Sequence, residues 1–246
     1  MGNFKQRFGT WCSLNSVNAV DVICSTDLDF VIIDEEHSSV SFEGMENMVR
    51  ACEARGKQAI IRSSNDDKQH LLRILEAGSN ALMVPHISSA NDAKKVVEFV
   101  KYPPEGSRGL SPYTRQHNFS DQNLSDSLSQ ANENQFLGLL VEGEEGIKNI
   151  AEISKVQGID LIYIGLFDLA KTIGMVDNLT DPKILKLLKD TKEIIQANGV
   201  MVGSMAKDVE YAKILSDIGY DFIAFYNDSA ALKSYFQDAI KDIKAN

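Results

Sequence analysis

Residues 30–39 read Phe30-Val31-Ile32-Ile33-Asp34-Glu35-Glu36-His37-Ser38-Ser39, and this stretch decides the fold. Its first four residues are apolar without interruption, which is typical of a strand buried on both faces of a parallel sheet. Three acids and a histidine follow, where such a strand would leave the core. Carboxylates and an imidazole pack poorly in a core but suit proton transfer. The stretch therefore predicts an α/β enzyme whose site lies at the ends of its strands.

The same order, an apolar strand, a polar tip and an amphipathic helix, recurs eight times along the chain. Alternating strands and helices predict a parallel sheet with right-handed crossovers. Eight such units in 246 residues fit a (β/α)8 TIM barrel better than an open sheet. With no linker or further repeat, we predict a single domain over residues 1–246. The predicted strands cover residues 9–14, 30–33, 58–61, 81–84, 136–141, 161–164, 200–202 and 222–225.

Composition narrows the class of protein and its partners. The hydrophobic fraction of 43% supports a sizeable core, and the net charge of −10 disfavours nucleic acid and anionic membranes as partners. The three cysteines lack a C-x-x-C pattern, which favours buried free thiols over disulfides or a zinc site. The sequence shows no signal peptide and no apolar run of about 20 residues. We therefore expect a cytoplasmic protein.

Two acids at predicted strand tips suggest a metal site. Glu142 follows the fifth predicted strand and Asp168 follows the sixth, so both carboxylates should face the mouth of the barrel. Two carboxylates on one cavity are costly unless a positive charge lies between them. A divalent cation such as Mg²⁺ is one solution. The residues alone leave open the alternative that each acid pairs with an arginine or caps a helix.

The remaining strand-tip residues allow more than one role. Arg62 suits a carboxylate or phosphate, yet it would pair equally well with a neighbouring acid. His37 suits an acid, a base or a metal ligand, with a structural hydrogen bond as the alternative. For His86 a structural role is favoured, and we expect His70 and His117 to be solvated. Residues 101–123 form a long polar loop whose arginines, Arg108 and Arg115, slightly favour a function.

Five motifs together resemble the HpcH/HpaI aldolase family of metal-dependent pyruvate aldolases. The resemblance spans nearly the whole chain, from Gly9 to about Asp228, and rests on the order and spacing of the motifs. They are Ile33-Asp34-Glu35-Glu36-His37; Arg62 followed by Asn65-Asp66; Leu82-Met83-Val84-Pro85; Tyr102-Pro103-Pro104-Glu105-Gly106-Ser107-Arg108-Gly109; and Ile164-Gly165-Leu166-Phe167-Asp168-Leu169.

The resemblance implies a class II aldolase: a carbon–carbon lyase acting through the enolate of pyruvate on a 4-hydroxy-2-oxo acid. The reactants are then a 2-oxo acid and an aldehyde, and the cofactor is Mg²⁺ or Mn²⁺, with Co²⁺ as an alternative. The family also implies a homo-oligomer, a hexamer or trimer. The roles it implies are catalysis by His37, Arg62 and Glu76; substrate binding by Arg62, Gly165, Leu166 and Phe167; and metal binding by Glu142 and Asp168.

Within these roles Arg62 would hold the carboxylate of the pyruvate unit, and His37 would transfer a proton directly or through a bound water. Glu76 would support the site. Backbone amides of residues 165–167 would cradle the carboxylate. Leu166 and Phe167 depart from the Gly-Pro-x-Asp-Leu pattern usual in the family, and Glu35 replaces a small residue. These departures bear on the choice of substrate.

Two other functions stay open from the sequence. Relatives of the citrate-lyase type act on acyl-CoA thioesters or oxaloacetate, and Arg108 or Arg115 would then meet a CoA phosphate. A non-catalytic ligand-binding barrel is the other alternative, with Phe167 filling the pocket.

Overall fold

Eight parallel strands close into a barrel in which each strand pairs with its neighbours in chain order and β8 pairs with β1. The structure is a computed structural model and describes residues 5–176 and 178–245. The closed barrel of eight parallel strands confirms the predicted TIM barrel. The strands are β1 Arg7–Cys12, β2 Phe30–Asp34, β3 Gln58–Arg62, β4 Ala81–Val84, β5 Phe136–Val141, β6 Leu161–Ile164, β7 Met201–Ala206 and β8 Phe222–Asn227.

Helices follow the strands and cover the outside of the barrel. A single 3-10 turn, Arg115–His117, lies in the long loop. The α-helices are α1 Val17–Cys24, α2 Phe42–Ala54, α3 Lys68–Glu76, α4 Ala90–Val100, α5 Leu124–Asn134, α6 Glu144–Lys148, α7 Ile150–Ile153, α8 Leu166–Thr172, α9 Pro182–Ala197, α10 Val209–Ile218 and α11 Asp228–Lys244. Among the described residues, no helix is long and apolar enough to cross a membrane.

Alternate strand residues separate the core into two apolar layers. On β2, Val31 and Ile33 pack against the helices, whereas Phe30 and Ile32 fill the barrel interior. Successive side chains of a strand point to opposite faces. Asp34, the last residue of β2, therefore points into the barrel mouth with the inward set.

The same alternation determines the direction of the side chains at the ends of the other strands. Ile60 lies in the interior layer, so Arg62 at the end of β3 is inward as well. Leu140 is inward on β5, and Glu142 follows it by two residues. The strand pattern that builds the core thus delivers charged side chains to one end of the barrel.

The structure differs from the predicted elements after β6. Residues 166–172 form α8, a helix that the sequence did not suggest. Its first turn contains Asp168, and its N-cap residue, Gly165, provides no side-chain cap. Strand β7 also runs to Ala206 instead of ending at residue 202, because pairing with both neighbouring strands overrides the weak strand propensity of Gly203 and Ser204.

Candidate active site

A cavity of about 320 Å³ opens at the C-terminal ends of the strands, where TIM-barrel enzymes carry their active sites. Most of the predicted site residues line it together. They are His37, Arg62, Glu142, Gly165, Leu166, Phe167 and Asp168. Asp34, one of the acids that follow the second predicted strand, lines it as well. The sequence did not single out the rest of the lining, which is Trp11, Ser13, Leu140, Tyr163, Met205, Asn227 and Ser229.

Arg62 is held by two acids on one side of the cavity. Its Nε lies 2.9 Å from Asp34 Oδ1, and its Nη2 lies 2.6 Å from Asp34 Oδ2, which is a bidentate pair. Its Nη1 is 3.2 Å from Glu36 Oε2. The guanidinium carbon also lies 4.5 Å from the centroid of the Trp11 ring. The internal pairing left open by the sequence is therefore present, and it fixes the plane of the guanidinium.

Arg62 keeps binding capacity despite these contacts. A guanidinium has five N–H groups, and the hydrogen bonds to Asp34 use one on Nε and one on Nη2, whereas the contact of Nη1 with Glu36 is an ion pair without a hydrogen bond. At least one N–H on each Nη is left for a substrate carboxylate. Asp34 Oδ1 also accepts from the backbone N–H groups of Glu36 and His37, at 3.0 and 3.2 Å. The turn that carries His37 is thereby anchored to the arginine.

Glu142 and Asp168 line the same cavity, and their charges interact. Burial raises the pKa of Glu142, the His86 imidazole opposes that change, and the charges of Glu36 and Asp168 add to it. A Cβ at Gly165 would lie 2.5 Å from Glu142 Cβ and 3.3 Å from its Oε2. Gly165 is therefore the residue that lets the Glu142 side chain occupy this position.

The donor set at this end fits a divalent cation. Asp34, Glu36, Glu142 and Asp168 are four carboxylates, and Arg62 is the only arginine or lysine that lines the cavity among the described residues. The described residues contain no group of three or more protein ligands arranged for a metal. Mg²⁺ binds through one or two carboxylates and keeps other positions for water and substrate oxygens. Glu142 and Asp168 suit that open type of site.

His37 is exposed at the rim of the cavity. Its ring makes no hydrogen bond to the residues that the structure describes, although its backbone is fixed by Asp34. The structural hydrogen bond considered from the sequence is thus not observed there. An exposed imidazole at the mouth is available to exchange a proton with a bound molecule.

The floor of the cavity is apolar, with one internal hydrogen bond. Trp11 Nε1 donates to the Tyr163 hydroxyl at 3.1 Å, and complete burial raises the pKa of Tyr163 far above its usual value. Tyr163 therefore stays protonated. Leu140, Met205 and the 44% exposed Phe167 add apolar surface beside the acids. The cavity thus combines a charged wall with an apolar floor.

Comparison with known proteins identifies the family. A sequence model described as HpcH/HpaI aldolase/citrate lyase matches residues 7–233. This chain belongs to the HpcH/HpaI aldolase/citrate lyase family. The resemblance inferred from the motifs is confirmed, and so is the predicted enzyme class, a carbon–carbon lyase.

Individual relatives of the HpcH/HpaI family match over nearly the full length. The 2-dehydro-3,6-dideoxy-6-sulfogluconate aldolase of Pseudomonas putida is 28% identical over 96% of this chain and 92% of its own. The hydroxypyruvate/pyruvate aldolase of Chromohalobacter salexigens is 27% identical over 97% and 93%. A crystal structure of a family protein from Burkholderia cenocepacia J2315 aligns with a TM-score of 0.91 at 25% identity, covering 98% of this chain and 95% of that one.

Glu76 is not brought to the cavity of this HpcH/HpaI barrel. Helix α3 runs away from the strand ends, and its nine residues span about 14 Å at 1.5 Å per residue. Glu76 ends that helix, where burial raises its pKa and Arg108 is the charge that opposes this. Glu76 therefore does not line the cavity of its own chain, and its expected supporting role stays a prediction.

One residue of the predicted carboxylate cradle also needs correction. The backbone N–H of Gly165 donates to the Val141 carbonyl at 2.9 Å, so it is not free for a ligand. The following N–H groups, of Leu166 and Phe167, begin helix α8 and have no intrahelical partner. Gly165 contributes close packing against Glu142, and only the next two amides suit an anion.

The other three histidines contact residues that the sequence did not specify. His86, for which a structural role was favoured, contacts two site acids: its Nδ1 lies 2.7 Å from Glu142 Oε1 and its Nε2 2.9 Å from Glu36 Oε1. His70 and His117 were expected to be solvated. His70 Nε2 lies 2.7 Å from Glu35 Oε2, and His117 is only 5% exposed. The position of His86 at a strand tip was the one signal that could have identified it.

The arginines of the long loop lie away from the site. Arg108 is 5% exposed and its guanidinium carbon lies 4.5 Å from the Tyr102 ring centroid. Arg115 pairs with Glu53 on helix α2 and does not line the cavity. Neither arginine lines the cavity, and the expectation that one of them meets a CoA phosphate stays a prediction.

Proposed function

We propose that this chain is a divalent-metal-dependent aldolase that cleaves or forms a carbon–carbon bond of a 4-hydroxy-2-oxo acid. Pyruvate or a related 2-oxo acid is one product of cleavage, and an aldehyde is the other. The observation that carries the proposal is the placement of Glu142 and Asp168 on one cavity, with Arg62 and His37 lining the same space. The names of the two aldolases from Pseudomonas putida and Chromohalobacter salexigens agree with this chemistry.

Glu142 and Asp168 would hold Mg²⁺ or Mn²⁺, with Co²⁺ as an alternative. A divalent cation supplies a Lewis acid that stabilises the negative charge developing on the 2-oxo acid unit as the bond breaks. The excess of carboxylates at the mouth and the close approach allowed by Gly165 support this assignment.

Arg62 would orient the 2-oxo acid. Its fork is already fixed by Asp34, so little side-chain freedom is lost when one N–H of each Nη meets the substrate carboxylate. The amides of Leu166 and Phe167 would add donors to the same anion. This arrangement fixes which face of the 2-oxo acid meets the rest of the cavity.

His37 would move the proton of the substrate hydroxyl. In cleavage that hydroxyl becomes the carbonyl of the departing aldehyde, so its proton must leave as the carbon–carbon bond breaks. His37 is exposed, lines the cavity and has no competing hydrogen bond to its ring from the described residues. The apolar surface of Leu140, Phe167 and Met205 would meet the aldehyde half.

The test is metal dependence with variants of the two acids. Protein treated with a chelator should cleave a 4-hydroxy-2-oxo acid slowly and recover on addition of Mn²⁺. Glu142→Gln and Asp168→Asn should each lose about 10²–10³-fold in kcat, because a Lewis acid is worth several kcal/mol and 1.36 kcal/mol is tenfold. Equal cleavage rates for the metal-free and the metal-loaded protein would contradict the proposed mechanism.

We also propose a homo-oligomer, a hexamer or trimer, as the family implies. Helix α11 supports this because its apolar side chains are exposed, from 49% at Ile240 to 71% at Tyr235. Exposed apolar patches of this kind often mark interfaces between proteins. Sedimentation velocity should give a mass several times the 27.2 kDa of the chain. A single species at the monomer mass would refute the assembly.

A further inference from the structure

His86 lies between two acids of the site, Glu36 and Glu142. It follows Pro85 at the end of β4, and its backbone is left-handed, with φ of 61°. This conformation is uncommon for a residue other than glycine, and such residues concentrate at functional sites. The consequence here is geometric, because both ring nitrogens face carboxylate oxygens from different strands.

Three contacts define the position of the His86 residue. Its Nδ1 lies 2.7 Å from Glu142 Oε1, its backbone N–H donates to the same oxygen at 3.2 Å, and its Nε2 lies 2.9 Å from Glu36 Oε1. The other oxygen of Glu36 faces Arg62 Nη1 at 3.2 Å. A continuous chain of contacts thus runs from Arg62 through Glu36 and His86 to Glu142.

The contacts to Glu142 are confined to one of its two oxygens. No described residue donates a hydrogen bond to Oε2, which lies on the side of Gly165. A glutamate has three side-chain torsions, and fixing them costs conformational entropy. Because Oε1 of Glu142 is already held, Oε2 stays in one position. The conformational entropy of the side chain is therefore lost before any ligand binds.

We propose that His86 is a positioning residue that presents Glu142 Oε2 to the divalent cation and holds Glu36 against Arg62. This inference rests on the proposed function and deepens it by linking the metal ligand to the residue that binds the 2-oxo acid. Partners that orient a metal ligand typically change metal affinity by about 10–100-fold when they are removed.

Packing does not explain the position of the ring. The His86 side chain is 66% exposed, whereas the side chains of Glu36 and Glu142 are 10% and 13% exposed. The ring is therefore held by the acids and not by a core around it. Replacing it should leave the barrel folded, so its effect on binding can be measured.

Two substitutions separate the ring from the strained backbone. Glycine and asparagine both tolerate a left-handed conformation. Only asparagine keeps a side-chain N–H near the position of Nδ1, where it can donate to Glu142. His86→Gly and His86→Asn therefore form a matched pair that differs in the donor and not in backbone strain.

The measurement is Mn²⁺ affinity without substrate, from the electron paramagnetic resonance signal of free Mn²⁺. We expect His86→Gly to bind Mn²⁺ about 10–100-fold more weakly than the natural protein. His86→Asn should recover most of that loss. With Mn²⁺ saturating, His86→Gly should raise the KM for the 2-oxo acid more than it lowers kcat, because Glu36 no longer has a partner opposite Arg62.

Glu142→Gln separates the two proposals within the same titration. If the natural protein binds Mn²⁺ no better than Glu142→Gln, the proposed metal site itself fails. If Glu142→Gln abolishes binding while His86→Gly binds as tightly as the natural protein, or more tightly, only the role of His86 is overturned. Equal weakness of the glycine and asparagine variants would also overturn it, since the donor would then not matter.

Discussion

Two polar networks in this barrel are built from similar residues and differ in what they leave unsatisfied. The mouth network consists of Asp34, Glu36, Arg62, His86, Glu142 and Asp168 at the strand ends. The loop network consists of Lys101, Tyr102, Arg108, His117 and Asn132 around the long loop. Each contains a histidine, an arginine and several hydrogen bonds, and each was marked by a conspicuous sequence motif.

The hydrogen bonds of the loop network join protein groups to one another, although Arg108 Nε and Nη2 are buried without a hydrogen-bond partner. The Asn132 side chain accepts from the Tyr102 backbone N–H at 2.8 Å and donates to the Tyr102 carbonyl at 2.9 Å. The Tyr102 hydroxyl lies 2.8 Å from His117 Nε2, and His117 Nδ1 lies 2.7 Å from the hydroxyl of Ser127. Burial and the charge of Arg108 lower the pKa of His117, which favours its neutral form. These bonds fix the path of the loop.

The mouth network carries an excess of negative charge. Its four carboxylates outnumber its cations, Glu142 has an oxygen without a donor among the described residues, and the cavity adjoins it. An excess of like charge beside a cavity is a cost that a bound ligand can relieve. An excess of carboxylates beside a cavity, and not the mere presence of charged residues, therefore separates the site from the scaffold in this protein.

Arg62→Lys should show the largest effect in a test of this comparison. Lysine keeps the charge but loses the fork that meets Asp34 and a substrate carboxylate. Hydrogen bonds to charged groups are worth about 1.5–3 kcal/mol, so kcat/KM should fall about 10–100-fold, mainly through KM. Arg115→Lys is the matched control, because Arg115 pairs with Glu53 outside the site. Equal losses in the two variants would remove the distinction between the regions.

Gly165→Ala should have a smaller effect through Glu142. The added methyl group would lie 2.5 Å from Glu142 Cβ, so the carboxylate must shift. We expect Mn²⁺ affinity to fall about tenfold, at the lower end of the range for disturbed metal ligands. Calorimetric titration measures this. Gly143→Ala is the control, because a Cβ there meets nothing within 4 Å; an unchanged affinity in Gly165→Ala would argue against the cradle.

Tyr102→Phe should leave catalysis unchanged and reduce stability. Removing the hydroxyl leaves His117 Nε2 without its partner in a buried setting, which costs about 1–3 kcal/mol in the free energy of unfolding. Urea unfolding measures the loss, and Tyr113→Phe serves as the control, because Tyr113 is 65% exposed. A fall in kcat/KM with unchanged stability would place the loop network in the catalytic machinery.

Most of the barrel could be predicted from the sequence because its strands are marked by apolar runs. The limits of β4, β5 and β6 coincide with their apolar runs, and the inward alternation of β2 and β3 places Asp34 and Arg62 correctly. Helix α8 was missed because it has only seven residues and no side-chain N-cap. The signals that mark a helix from sequence are therefore absent there.

The roles of the histidines could not be predicted because their partners are distant in the chain. His70 meets Glu35, and His86 meets Glu142, which is 56 residues away. A local pattern carries no information about such contacts, and the same holds for the burial of His117 beneath the loop. The role of Glu76 rests on the resemblance alone and stays a prediction, since Glu76 ends helix α3 and does not line the cavity of its own chain.

Anomalous scattering from crystals soaked with Mn²⁺ and pyruvate tests the central claim most directly. The account predicts one strong anomalous peak between the carboxylates of Glu142 and Asp168, with the pyruvate carboxylate within hydrogen-bonding distance of Arg62. The same soak with Glu142→Gln crystals should lose the peak. A Mn²⁺ peak at another place, or pyruvate bound in the cavity with no metal beside these acids, would contradict the account.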